Sequence, residues 1–182
     1  MSDILVIKIT FGTLLTLGGI VLLFLAFKLY YKYLIQEKRC TSKVKGAVKR
    51  YTICSLGGED SGVHLPVVYY VVNGKEYKVI GPEYKKYVTK NKSSPFEDNS
   101  MKYKEDNQTL EVIRTSNAFL NVYVNPISKL YPINSEIDVY YDPNNPKLSY
   151  VLRYCNRKWI FWFVLGAGIL VLIADLLMLL ML

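Results

Sequence analysis

A single histidine, His64, stands among the 182 residues, and the three cysteines, Cys40, Cys54 and Cys155, form no Cys-x-x-Cys pair. One imidazole excludes multi-histidine metal centres, and an odd, sparse set of thiols excludes a disulfide framework. Such thiols fit a reducing compartment, where they serve as small buried hydrophobes. Phosphate loops are missing as well: neither G-x-x-x-x-G-K-[ST] nor G-x-G-x-x-G occurs, and Gly57-Gly58 is too short to cradle a phosphate. His64 with Cys54 is the one Cys-His dyad the composition allows, and nothing nearby marks an oxyanion hole or an orienting acid. No catalytic residue, metal ligand or cofactor is therefore expected. Acids are also scarce, 15 against 23 bases, for a formal net charge of +8. Ile9 to Phe27 carries no charge at all, and Trp159 to Leu182 carries only Asp175.

Those two apolar stretches dominate what is present. A bilayer span needs ~20 apolar residues to cross ~30 Å of hydrocarbon, and both stretches qualify. Each meets the middle of the chain through bases: Lys28, Lys32, Lys38 and Arg39 after the first, and Arg153, Arg157 and Lys158 before the second. This collar suits anionic lipid headgroups better than nucleic acid. Tyr30, Tyr31, Trp159 and Trp162 stand at the same level, where an interfacial aromatic belt is expected. The first stretch has too long a core for a cleaved signal peptide, and no Ala-x-Ala site follows it. The expected organisation is a first transmembrane helix with its extension (1–35), a β domain (36–157) and a second transmembrane helix (158–182).

Orientation follows from the bases. They cluster on the inner flanks, so the positive-inside rule places the middle domain in the cytoplasm of a multi-pass plasma-membrane protein, a bacterial inner-membrane protein by this reading, with both termini outside. The sequons at Asn91 and Asn107 then stay unmodified. Asp175 is the one acid within a span, a costly place for a carboxylate. At 1.5 Å per residue it lies about 25 Å beyond Lys158, while Lys8 lies about 30 Å from Lys28. Antiparallel helices would bring the two to similar depth, and an ion pair between Lys8 and Asp175 is one expectation; independent snorkelling or a protonated Asp175 is the other. Gly12, Thr16 and Gly19 share one helical face, and with Gly166, Ala167 and Gly168 they allow close helix packing or a homo-oligomer.

The middle reads as short strands. Asn73-Gly74 between Val67–Val72 and Lys75–Ile80 is a two-residue hairpin turn, since both residue types tolerate positive φ. Val44 to Ile53 alternates, with Val44, Gly46, Val48, Arg50 and Thr52 on one face. Gly57, Gly58 and Gly62 form a loop, and the polar residues 82–108, without a clear period, form a mobile insertion. Leu110–Arg114 and Phe119–Val124 suggest a second hairpin. Glu136–Tyr141 stops at Asp142-Pro143-Asn144-Asn145-Pro146, and Leu148–Leu152 returns. The expected fold is a membrane protein whose two transmembrane helices flank a small antiparallel all-β domain, barrel or sandwich.

Lys45-Gly46-Ala47-Val48, Leu65-Pro66-Val67-Val68-Tyr69, Asn73-Gly74-Lys75-Glu76-Tyr77 and Ile137-Asp138-Val139-Tyr140-Tyr141-Asp142-Pro143-Asn144-Asn145-Pro146 together resemble the domain of unknown function 3592 family. The resemblance covers about half of the middle domain and implies membrane helices flanking a short β domain; it confers no activity. Two departures stand out. Asn134-Ser135 replaces the glycine usual before the last strands, and residues 82–130 are longer than the pattern expects.

The expected function is non-enzymatic: a cytoplasmic β domain, mounted on a membrane hairpin, that binds a membrane or secreted protein, with an accessory or immunity-type factor as its concrete form. The rival is a membrane-surface sensor or enzyme with a pocket around His64, Asp138 and Asp142. Tyrosines on the strands are core and cross-strand pairs rather than a nucleic-acid platform.

Overall fold

The computed structural model describes residues 3–53, 63–94, 100–106, 108–117 and 125–181. These divide into two compact units: one built from residues up to Ile35 together with those from Arg157 onward, the other Gln36–Asn156.

The first unit pairs two long helices. Helix α1 spans Asp3–Leu25 and α3 spans Lys158–Met181, 23 and 24 residues, or about 35 Å each. Both are long and apolar enough to cross a membrane. Neither has a strongly amphipathic pattern, as expected for helices apolar all round. Their contact face is set by small residues. A Cβ on Gly19 would lie 2.6 Å from Leu172 and 3.3 Å from the Gly168 carbonyl, and one on Gly168 would lie 3.0 Å from Leu23. Gly166, by contrast, faces open space. The outward sides expose Leu14, Leu17, Phe24, Leu170 and Leu176. After Leu25 the chain makes one π-helical turn, Ala26–Tyr30, closed by the Tyr31 N–H donating to the Ala26 carbonyl at 3.0 Å. It then resumes as α2, Lys32–Arg39.

The second unit is built on a five-stranded antiparallel sheet of order β3-β2-β1-β7-β8. Its strands are β1 Ser42–Tyr51, β2 Pro66–Val72, β3 Lys75–Ile80, β7 Glu136–Asp142 and β8 Asn145–Val151. The outer strands β3 and β8 approach each other, so the sheet nearly closes. Alternation supplies its core: Val48, Val68, Tyr70, Val72, Ile137, Val139 and Val151 are buried together. Gly46 sits where β1 crosses this core, and a Cβ there would meet Val68 at 2.6 Å and the Tyr69 carbonyl at 3.0 Å. The Asn73-Gly74 turn has φ of 51° and 75°, as that hairpin demands. Asn134 adopts φ 68° and donates its N–H to the Val48 carbonyl at 2.7 Å. Asparagine thus takes the left-handed conformation in which glycine was expected.

Several expectations need correction. The face through Val44, Gly46 and Val48 does not continue to Arg50, which is exposed. A bulge between Val48 and Arg50 places an extra residue opposite β2 and turns the following side chains over. Residues 82–108 are not a structureless insertion. They contain β4, Lys86–Ser94, and β5, Ser100–Asp106, which flank β6, Thr109–Asn117, in a second sheet of order β4-β6-β5. The β domain is also not wholly antiparallel, because β4 runs parallel to β6, from Lys86↔Thr109 to Ser94↔Asn117. Phe119–Val124, expected as the second arm of a hairpin, lies outside the described residues, as do Cys54 and the Gly57-Gly58 loop. Leu110 and Val112 form a second core with Val63, Leu65, Tyr84 and Ile127, the last from a 3₁₀ turn at Pro126–Lys129. The final strand begins at Asn145 rather than Leu148, because Pro146 is accommodated at the irregular β7–β8 pairing next to Asp142.

Candidate functional site

The helical unit buries a polar contact at Asp175. Asp175 is only 5% exposed, and its Oδ2 accepts a hydrogen bond from the Thr16 hydroxyl at 2.5 Å. Its Oδ1 is buried without a hydrogen-bond partner and lies 3.5 Å from where a Gly12 Cβ would stand. Lys8 forms no ion pair with Asp175. It lines a groove of about 470 Å³ with Ile9, Gly12, Thr13, Thr16, Leu17 and Leu179.

The helix register explains this correction. Gly12 faces Leu179, Thr16 faces Asp175 and Gly19 faces Leu172. The carboxyl sits between Thr16 and Gly12, with Lys8 two turns, about 12 Å, from Thr16 and one turn, about 6 Å, from Gly12. Depth measured from Lys28 and Lys158 gives the wrong partner because the glycine contacts, not the collars, set how the helices slide past each other. Thr16 was legible as a small residue on the packed face; its role as donor was not.

The aromatic residues at the helix ends do cluster. Phe27 meets Phe161 edge to face at 5.5 Å, and Tyr31 lies 6.1 Å from each of them. Trp159 and Trp162 are well exposed and Tyr30 is half-buried. Lys28 sits over the Phe24 ring at 5.0 Å, and Lys32 over Tyr33 at 4.7 Å. Lys38 is exposed on α2, and Arg157 and Lys158 are half-buried.

Two collar residues have other duties. Arg39 forms a 2.8 Å ion pair with Asp142, whose side chain is almost fully buried. Asp142 also accepts the Asn144 N–H at 2.9 Å, fixing the Asp-Pro turn. Arg153 pairs with Glu105 at 2.5 Å and lies over the Tyr84 ring at 4.9 Å. Glu105 also accepts from the Tyr84 hydroxyl at 3.2 Å. Burial holds the Tyr84 hydroxyl far above its usual range and raises Tyr131 as well. Arg153 therefore joins the end of β8 to the second sheet and is not a free headgroup ligand. No sequence pattern marks that role, because Glu105 lies in a segment read as irregular.

His64, Asp138 and Asp142 do not converge. The His64 Nδ1 is 2.7 Å from the Thr52 carbonyl, and the His64 backbone N–H donates to Asn125 Oδ1 at 3.2 Å. Asp138 binds Lys43 at 2.8 Å and Lys45 at 2.7 Å, and hydrogen bonds from these two lysines hold its carboxyl below the usual range. The Cys40 thiol donates to the Leu148 carbonyl at 3.3 Å, and burial, then the nearby Asp142 charge, pushes it up to about 11. Among the described residues, no group of three His, Cys, Asp or Glu could hold a metal ion. No protein-family model, curated protein or solved structure matches the chain.

Proposed function

We propose that the chain is a membrane-anchored, non-enzymatic protein whose two long helices form a hairpin in the bilayer and whose β unit binds a protein partner on the cytoplasmic side. One observation carries the reading. The two helices are joined along a glycine-bearing face that seats a buried carboxyl, while their outward sides are apolar and exposed. A pair of this kind hides its polar group and offers lipid a continuous hydrocarbon surface. The cytoplasmic placement rests on the basic inner flanks, of which Lys28, Lys32, Lys38, Arg157 and Lys158 remain as collar residues. The resemblance to the domain of unknown function 3592 family agrees with this architecture, and an accessory or immunity-type role is its concrete form.

Topology is tested at Lys75, exposed beside the Asn73-Gly74 turn, because Cys40 and Cys155 are buried. In a Cys54→Ser background, Lys75→Cys should resist an impermeant maleimide in intact cells and react after permeabilisation. Ready labelling of intact cells overturns the cytoplasmic placement. For the partner, the full chain is captured from membranes in mild detergent beside a chain keeping both helices but carrying an unrelated β domain. Proteins should be enriched by the native β unit alone; identical sets overturn the binding role.

A further inference from the structure

The second sheet has two unlike faces. Tyr87, Leu110 and Val112 belong to its packed side. Strand alternation therefore places Lys86, Val88, Lys90 and Lys92 of β4 on the opposite side. Thr109, Glu111 and Ile113 of β6 join them, as do Lys102 and Lys104 of β5. All five lysines are exposed. The 2.5 Å pair between Lys90 and Glu111 confirms that these residues share one surface, and Lys104 adds to the field that depresses the Glu111 carboxyl. Registers place Lys90 and Lys102 on either side of Ile113, about 10 Å apart at ordinary strand spacing. Lys86 and Lys90 are about 13 Å apart along β4. Against these bases the described residues of the face include two acids, Glu111 and Asp106.

We propose that this face is a docking surface for an anionic bilayer, with Lys86, Lys90, Lys102 and Lys104 as its headgroup contacts. The inference rests on the membrane-anchored reading above. A flat sheet meets a plane of headgroups with several lysines at once, and each contributes about five-fold in binding. Val88 and Ile113, set between the lysines, can enter the interfacial layer. Among the described residues the face has no aromatic ring on which a base could stack, which favours lipid over single-stranded nucleic acid. Tethering to a membrane hairpin raises the effective headgroup concentration, so a weak surface suffices. The arrangement also differs from edge protection alone, for which lysines at the strand edges would need no shared face.

The test uses the full chain in nanodiscs of pure phosphatidylcholine, mixed with vesicles of either pure phosphatidylcholine or equimolar phosphatidylcholine and phosphatidylserine. Flotation should recover the discs with the anionic vesicles only, and binding should weaken as salt rises. Replacing Lys86, Lys90, Lys102 and Lys104 together by Gln should reduce binding by about a hundred-fold or more. The matched control replaces Lys49, Lys75, Lys78 and Lys147, exposed elsewhere on the β unit, by Gln. Equal loss in both variants shows a net-charge effect and overturns the proposal. Single-stranded RNA that binds more tightly than the vesicles, through the same four lysines, also overturns it. Replacing the four lysines by Arg should preserve binding; loss there overturns it as well. A chain that resists alkaline extraction from membranes yet fails to bind refutes this inference alone, whereas one released by alkali refutes the anchored reading beneath it.

Discussion

The Thr16–Asp175 contact gives the sharpest test of how the two helices hold together. Interhelical hydrogen bonds in membranes average about 0.6 kcal/mol and reach about 1.7 kcal/mol. The 2.5 Å distance and the buried setting of Asp175 place this bond at the upper end. Thr16→Val strands a carboxyl whose second oxygen is already unpartnered, so it should cost about 1–2 kcal/mol. Asp175→Asn keeps an acceptor for the hydroxyl and should cost less. Asp175→Leu removes the polar group altogether and should be near neutral or stabilising. The assay is reversible unfolding of the full chain in bicelles, with a double-mutant cycle between Thr16→Val and Asp175→Leu. A coupling of about 1 kcal/mol or more is expected; a value within the 0.3–0.5 kcal/mol scatter of independent sites refutes the contact. The parallel cycle between Lys8→Gln and Asp175→Leu should be additive, because the Asp175 carboxyl bonds Thr16 and forms no ion pair with Lys8. A coupling there larger than that of Thr16 would restore the Lys8–Asp175 pair and overturn the register described here.

Asn134→Ala should destabilise the β unit by about 1–2 kcal/mol, since alanine adopts the left-handed backbone at φ 68° less readily than asparagine, whereas Asn134→Gly should be nearly silent in denaturant unfolding. Gly46→Ala drives a Cβ into Val68 and the Tyr69 carbonyl, and about 1–3 kcal/mol should be lost in the same assay. Arg153→Gln should lower the unfolding midpoint of the β unit without releasing the chain from membranes, which separates its pairing with Glu105 from a headgroup role. For Cys40 the folded thiol titrates at about 11 against an ordinary 9.0. Its burial thus contributes stability that is complete below pH 9 and is lost as pH rises from about 9 to about 11; a Cys40→Ser variant should show a flatter alkaline decline, and an unchanged slope would count against the buried thiol.

The two apolar helices were legible in the sequence because crossing hydrocarbon requires about twenty apolar residues in a row, a demand written in one dimension. The Asn73-Gly74 hairpin and the alternation of Val67–Val72 and Ile137–Tyr141 were legible for a similar reason: turn chemistry and strand period are local properties. The second sheet was not. β4 and β5 carry mostly Lys, Ser, Asn and Thr, and their order comes from pairing with β6, whose Leu110 and Val112 supply the apolar face. The bulge after Val48 likewise depends on the neighbouring strand and reversed the side assigned to Arg50. Charge could be counted but not allotted: Arg39 and Arg153 look like collar residues until Asp142 and Glu105, distant in sequence, are brought beside them. By itself, then, the sequence determined that two long apolar helices flank a β module and that Asp175 needs a partner. Only tertiary structure decided that the partner is Thr16 and not Lys8, because helix register is chosen by which glycines let two backbones meet, and that choice exists only once both helices are in contact.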